Sequence, residues 1–253
     1  MTRFRLAPFS RREFEKDLYR PGVISSTRIV WGSLGGGLLL CIIGIFSQIT
    51  EIGVLYPPLA ATCFINATCV YLRVARPKSV IVGHFVSAIG GLLGVSLGTI
   101  LFSGSNFLVP AKLGFALLLA GVFMQITDSD HPPAAATAVI PAILPLPVKA
   151  LFLPLHMAWG AVLAVIFAVA WNRFWFECPV PDDEASSTWF GLQMDKPDIA
   201  GSMICIFAFF LMCTKPWLPW LYKSGMAVML LGLLVLSFHH LLTPLLVRDR
   251  EPS

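Results

Sequence analysis

Tyr56-Pro57-Pro58-Leu59-Ala60-Ala61-Thr62-Cys63-Phe64-Ile65 returns, 75 residues later, as His131-Pro132-Pro133-Ala134-Ala135-Ala136-Thr137-Ala138-Val139-Ile140. Six positions coincide: Pro57/Pro132, Pro58/Pro133, Ala60/Ala135, Ala61/Ala136, Thr62/Thr137 and Ile65/Ile140. Proline has no N–H and its ring clashes one turn back, so a Pro-Pro pair stops a helix yet suits a helix start. Each copy therefore reads as a fresh helix beginning inside an apolar segment. Each is followed by a Pro/Lys turn, Pro77-Lys78 or Pro147 to Lys149, and then by a segment with a histidine near its start, His84 or His156.

The rest of the chain sets these motifs in a membrane. Of 253 residues, 57% are hydrophobic and 13% charged, against averages of ~45–50% and ~25% for soluble globular domains. The mean hydropathy is +0.78. One soluble core of this size has no room for so much apolar surface. Scattered Pro and Gly exclude a collagen-like chain, and six cysteines exclude a disulfide scaffold. Apolar runs fall at about 28–49, 52–72, 80–102, 112–127, 131–148, 150–172, 199–214 and 223–247, and in lipid such runs are helical. The fold class expected is all-α, a polytopic transmembrane bundle of eight spans.

Charge sets the direction. With the N-terminus inside, fourteen Lys and Arg face inward and four (Lys112, Lys149, Lys215 and Lys223) face outward, which places both termini inside. Residues 1–27 read as a cytoplasmic or interfacial tail. Their continued charges do not suit a signal peptide, and Ser10 with Glu13 reads as a capping box for a short helix stopped at Pro21-Gly22. Residues 28–172 form a six-segment core of two repeats, 28–102 and 112–172. Residues 173–198 are an acidic inside loop, 199–247 a two-helix hairpin, and 248–253 a short tail.

Three crossings per repeat is an odd number, so the halves enter the membrane from opposite sides. Inverted repeats of this kind hold the substrate of many secondary transporters near the midplane, between broken helices at matched positions. The expected site is therefore Pro57, Pro58, Ala60, Ala61 and Thr62 facing Pro132, Pro133, Ala135, Ala136 and Thr137, with His131. Small side chains permit close approach, the hydroxyls add donors, and a helix N-terminus attracts anions. Asp128, Asp130, His131, His84 and His156 are the candidates for gating or proton coupling, because ionisable groups within spans are functional by default. The same motifs also read as packing devices, since small residues and proline kinks are common where membrane helices meet. Cysteine spacing suggests no zinc site, and no metal or cofactor is expected.

The run His131 to Ala138, after an acidic residue, resembles the signature of the HPP family of integral membrane proteins. Tyr56 to Phe64 and Ala75 to His84 are similar to two further stretches of that family, in order, over about residues 28–172. The resemblance implies a transport role, with nitrite transport attributed to members from photosynthetic organisms. Ala60, Ala135 and Val82 stand where the family carries glycine, and their methyls narrow a backbone-lined site.

The first functional expectation is a non-enzymatic transporter or channel for a small, nitrite-like anion in a bacterial-type inner membrane. Its partners are the bilayer, the anion and, in an oligomer, further copies of itself; no nucleic acid is expected. The alternatives are a membrane enzyme using Asp128, Asp130 and His131 as metal ligands or acid and base, and a non-catalytic scaffold or sensor.

Overall fold

The structure is a computed structural model that describes residues 5–9, 23–54, 57–68, 72–146, 149–175, 188–189 and 192–248. Tyr56, Cys69, Cys178, the tail helix expected near residues 10–20 and most of the acidic loop lie outside the described residues. There are two small ladders among the described residues. β1 (Arg5–Ala7) pairs in parallel with β2 (Val23–Ser25), and β3 (Thr188–Trp189) pairs antiparallel with β4 (Leu192–Gln193). All other regular structure among the described residues is helical.

The helices are α1 (Ser33–Thr50, led by a π-helical turn from Arg28), α2 (Pro57–Thr68), α3 (Pro77–Phe102), α4 (Leu108–Ile126), α5 (Pro132–Thr137), α6 (Ile140–Ile143), α7 (Leu153–Trp175), α8 (Lys196–Met212) and α9 (Pro219–Arg248). Five helical runs are long and apolar enough to cross a membrane: Arg28–Thr50, Pro77–Phe102, Leu108–Ile126, Ala150–Phe174 and Pro219–Phe238. The eight segments expected from hydropathy thus divide into five long helices and three shorter elements, α2, α5–α6 and α8.

Proline accounts for two of the three. α2 begins only at Pro57 and has 12 residues, about 18 Å at 1.5 Å per residue. α5 begins at Pro132 and stops after six residues. Pro141 lies four residues beyond Thr137, so it offers no N–H to the Thr137 carbonyl and its ring crowds that oxygen. The helix therefore breaks at Ala138 and Val139 and resumes at Ile140. The matching position in the first motif is Asn66, and there α2 runs on to Thr68.

Close contacts at glycine give the helix directions. An added Cβ at Gly90 would lie 2.6 Å from Ala120 N, Gly94 packs on the backbone of Ala116, and at Gly98 the Cβ would lie 2.9 Å from Lys112 Cα. These pairs descend α4 as they climb α3, so the two helices are antiparallel and joined along a glycine–alanine seam. Gly83 and Gly91 meet Ala134 and Ala138 in rising order, so α3 and α5 run parallel. Gly160 faces Leu59, and the Asn172 side chain donates to the Asn66 carbonyl, so α7 and α2 run parallel too. α7 is the most enclosed of the long helices, with Trp159 fully buried. α8 and α9 form an antiparallel hairpin in which Gly201 and Gly232 admit Leu236 and Cys205.

Candidate functional site

The two Pro-Pro motifs sit in matching environments. In both, the first proline is exposed, the second proline and the next residue are buried, the first alanine is half-buried, the second is exposed, and the threonine is buried. Pro58, Thr62, Pro133 and Thr137 therefore turn inward, whereas Pro57, Ala61, Pro132 and Ala136 turn away, with Ala60 and Ala135 between. The motif is a helix face read twice, not a continuous lining.

The inward threonines meet through an imidazole. His84 is fully buried on α3. Its Nε2 lies 2.7 Å from Thr62 Oγ1, and its Nδ1 lies 2.8 Å from Thr137 Oγ1. His131 joins the same group, with Nε2 3.0 Å from Thr62 Oγ1 and Nδ1 2.6 Å from the Val74 carbonyl. The two rings sit edge to face, 5.3 Å apart. Thr62 Oγ1 is also 3.1 Å from the Pro58 carbonyl one turn back. The gap expected between the two hydroxyls is filled by the His84 ring. One turn along α3, the Ser87 hydroxyl is buried and has no hydrogen-bond partner among the described residues.

Backbone makes this convergence possible. A Cβ on Gly83 would lie 2.9 Å from Ser129 O and 3.1 Å from His131 Cβ, so glycine there lets the 129–134 segment close over His84. Gly91 does the same for the break after α5, where a Cβ would stand 2.8 Å from Ala138 Cα. Donation from helix N-terminal amides is weaker than the sequence reading expects. Pro132 and Pro133 carry no N–H, and the next amide, Ala134, already donates to the His131 carbonyl at 2.8 Å. Polar side chains, not free backbone amides, dominate the site.

The acidic residues stand at its rim. Asp128 takes a left-handed backbone, φ 50°, which Asp tolerates. It forms an ion pair with Arg73, and Lys78 Nζ lies 3.9 Å from its other oxygen. Asp130 accepts from Gln125 at 2.8 Å. His131 follows Asp128 and Asp130 closely in sequence, yet its Nδ1 pairs with the Val74 carbonyl. Val74 was not identifiable from sequence as part of the site, because a backbone oxygen carries no motif, and Lys78 read only as part of a turn after the repeat. Among the described residues, no group of three or more His, Cys, Asp or Glu is placed to hold a metal ion.

His156, the repeat partner of His84, is placed elsewhere. Its Nε2 is 2.6 Å from the Tyr222 hydroxyl on α9, and Phe152 stacks on the ring. Lys215 lies over Tyr222 and donates to the Glu51 carbonyl. This cluster fastens the C-terminal hairpin to the core. Tyr222→Phe is expected to lower stability by about 1–2 kcal/mol, since it leaves a buried ring nitrogen unpaired. Thermal unfolding in detergent measures this.

The sequence profile described as HPP, transmembrane region, matches residues 21–181. A transmembrane protein of Dictyostelium discoideum is 32% identical over 126 residues, covering 48% of this chain and 42% of that protein. The match thus spans less than half the length of that curated relative. No solved structure matches the chain.

Proposed function

The chain belongs to the HPP family of integral membrane proteins, and on that premise we propose that it carries a small, nitrite-like anion across the membrane as a transporter, not an enzyme. The observation that carries this reading is the bridge Thr62–His84–Thr137, which ties the two repeated motifs together through a buried polar group. A packing device needs small residues but no such polar group, and burying one in a membrane interior is costly unless it has a use. The Ser87 hydroxyl adds a further unpaired donor beside it. When the motif helices part from α3, the Thr62, Thr137 and Ser87 hydroxyls and an imidazole N–H become donors that suit a compact oxyanion.

The architecture supports an inverted repeat of three plus three segments. α5 starts on the face where α2 ends, since His131 meets Val74 just beyond α2. Segments two and five therefore run in opposite directions, and α3–α5 and α2–α7 are matching parallel pairs. α2, α5–α6 and α8 complete eight membrane segments, with Arg73, Arg76, Lys78 and both termini on the inner face of a bacterial-type inner membrane. The site is closed around His84, so transport requires the motif helices to part from α3 and α7. The anion itself is identified by titrating the purified full chain with nitrite, nitrate, formate, bicarbonate and chloride and following thermal unfolding. A rise confined to one or two planar oxyanions, and lost in Thr137→Val, is the expected result. No shift with any of them, together with no uptake into proteoliposomes, refutes the reading.

A further inference from the structure

We infer that Thr137, His84, Thr62 and His131 form an ordered proton relay, and that a proton is the co-substrate moved with the anion. This rests on the transport reading of the same site and adds the coupling species to it.

The order follows from donor and acceptor chemistry. A carbonyl only accepts, so His131 Nδ1, 2.6 Å from Val74 O, carries a proton. In the neutral ring Nε2 is then bare and takes the proton of Thr62, 3.0 Å away. Thr62 has one proton and has now used it, so His84 Nε2, 2.7 Å off, must donate to the Thr62 oxygen. His84 Nδ1 is left bare and accepts from Thr137 at 2.8 Å. Every bond points one way, from Thr137 to Val74. The Pro58 carbonyl, 3.1 Å from Thr62 Oγ1, is a second acceptor for that proton, and the relay runs when the hydroxyl is turned to His131 Nε2.

A proton reaching the Thr137 oxygen, from water or from the anion's conjugate acid, reverses the chain in three shifts. Thr137 passes its own proton to His84 Nδ1, His84 Nε2 passes one to Thr62, and Thr62 passes one to His131 Nε2. One proton has entered, and one positive charge now rests on His131 with both nitrogens protonated. Loss of one proton from that ring to the 72–76 face, with return of hydroxyls and tautomers, restores the first order. The same steps run backward. α2 and α5 bring no charged residue to this path. The charged groups on the elements around His131 are Arg73 and Arg76 on either side of Val74, Lys78 at the start of α3, and Asp128 and Asp130 before the ring, with Asp128 already held by Arg73.

Thr62 is the link to cut, because valine matches its shape and removes only the hydroxyl. The full chain and its Thr62→Val and Thr62→Ser variants are placed in proteoliposomes with an internal pH dye, checked for wild-type thermal unfolding, and given nitrite or a membrane potential. Nitrite uptake and proton entry are read together against empty vesicles. The relay predicts paired nitrite and proton movement, a loss of proton movement of about tenfold or more in Thr62→Val, and recovery in Thr62→Ser. Nitrite uptake without protons, or wild-type proton movement in Thr62→Val, overturns the relay and leaves the transport reading. Potential-driven proton movement that Thr62→Val abolishes, without nitrite uptake, keeps the relay and overturns the nitrite-like substrate. Absence of both fluxes overturns both.

Discussion

On the transport reading proposed above, His84→Leu is expected to abolish anion uptake, and on any reading to weaken the fold. Leucine fills much of the ring's volume but leaves the Thr62 and Thr137 hydroxyls without their common partner. Each buried hydroxyl so stranded costs about 1–3 kcal/mol, although Thr62 retains His131 and the Pro58 carbonyl as outlets. The loss should therefore be about 2–4 kcal/mol, visible as a lower unfolding temperature in detergent. His84→Gln separates structure from transport. Its amide presents one donor and one acceptor, the same pair that the neutral imidazole presents to Thr62 and Thr137, but it does not exchange protons. Stability should return most of the way to wild type while coupled uptake stays low. If His84→Gln transports with wild-type rate and pH profile, His84 is a structural bridge and nothing more.

Gly94→Val should produce the largest effect on stability alone. The glycine stands against the backbone of Ala116, so an added side chain meets main chain, which has no rotamer to yield. Overpacking of this sort costs about 1–3 kcal/mol, and here it separates two whole helices. Gly90→Val, against Ala120, should behave alike, and the double variant should fall short of the sum, because once α4 is displaced the second clash is relieved. Gly37→Ala is the control. Nothing lies within 4 Å of its Cβ position, and alanine favours a helix over glycine by about 0.5–1 kcal/mol. A Gly94→Val protein as stable as wild type would mean that α3 and α4 do not pack along this seam in the membrane.

His131 shows where sequence proximity misleads. It stands only one and three residues from Asp130 and Asp128 in sequence, yet pairs with neither. The left-handed turn at Asp128 sends that side chain to Arg73, and Asp130 turns back to Gln125. The ring goes the other way, to Val74 and Thr62. Likewise the repeat made His84 and His156 look equivalent, yet the hairpin supplies Tyr222 to His156, whereas α2 and α5 supply threonines to His84. A hairpin outside the repeat breaks the symmetry that the repeat implies.

Composition and hydropathy alone determined that this chain is a helical membrane protein, because no soluble core holds that apolar fraction. The duplicated Pro-Pro-x-Ala-Ala-Thr motif alone determined where two helices start inside the apolar sequence, because proline acts on its own backbone and needs no distant neighbour. The spacing also marked Thr62 and Thr137 as equivalent. Tertiary structure decided what lies between them. A third helix had to come close enough to insert His84, and that approach depends on Gly83 and Gly91, whose meaning appears only once α5 is packed against α3. Helix length, too, was settled by contact and by one residue. Pro141 stops α5 where Asn66 lets α2 continue, so two motifs alike in sequence become helices of unequal length around one shared imidazole.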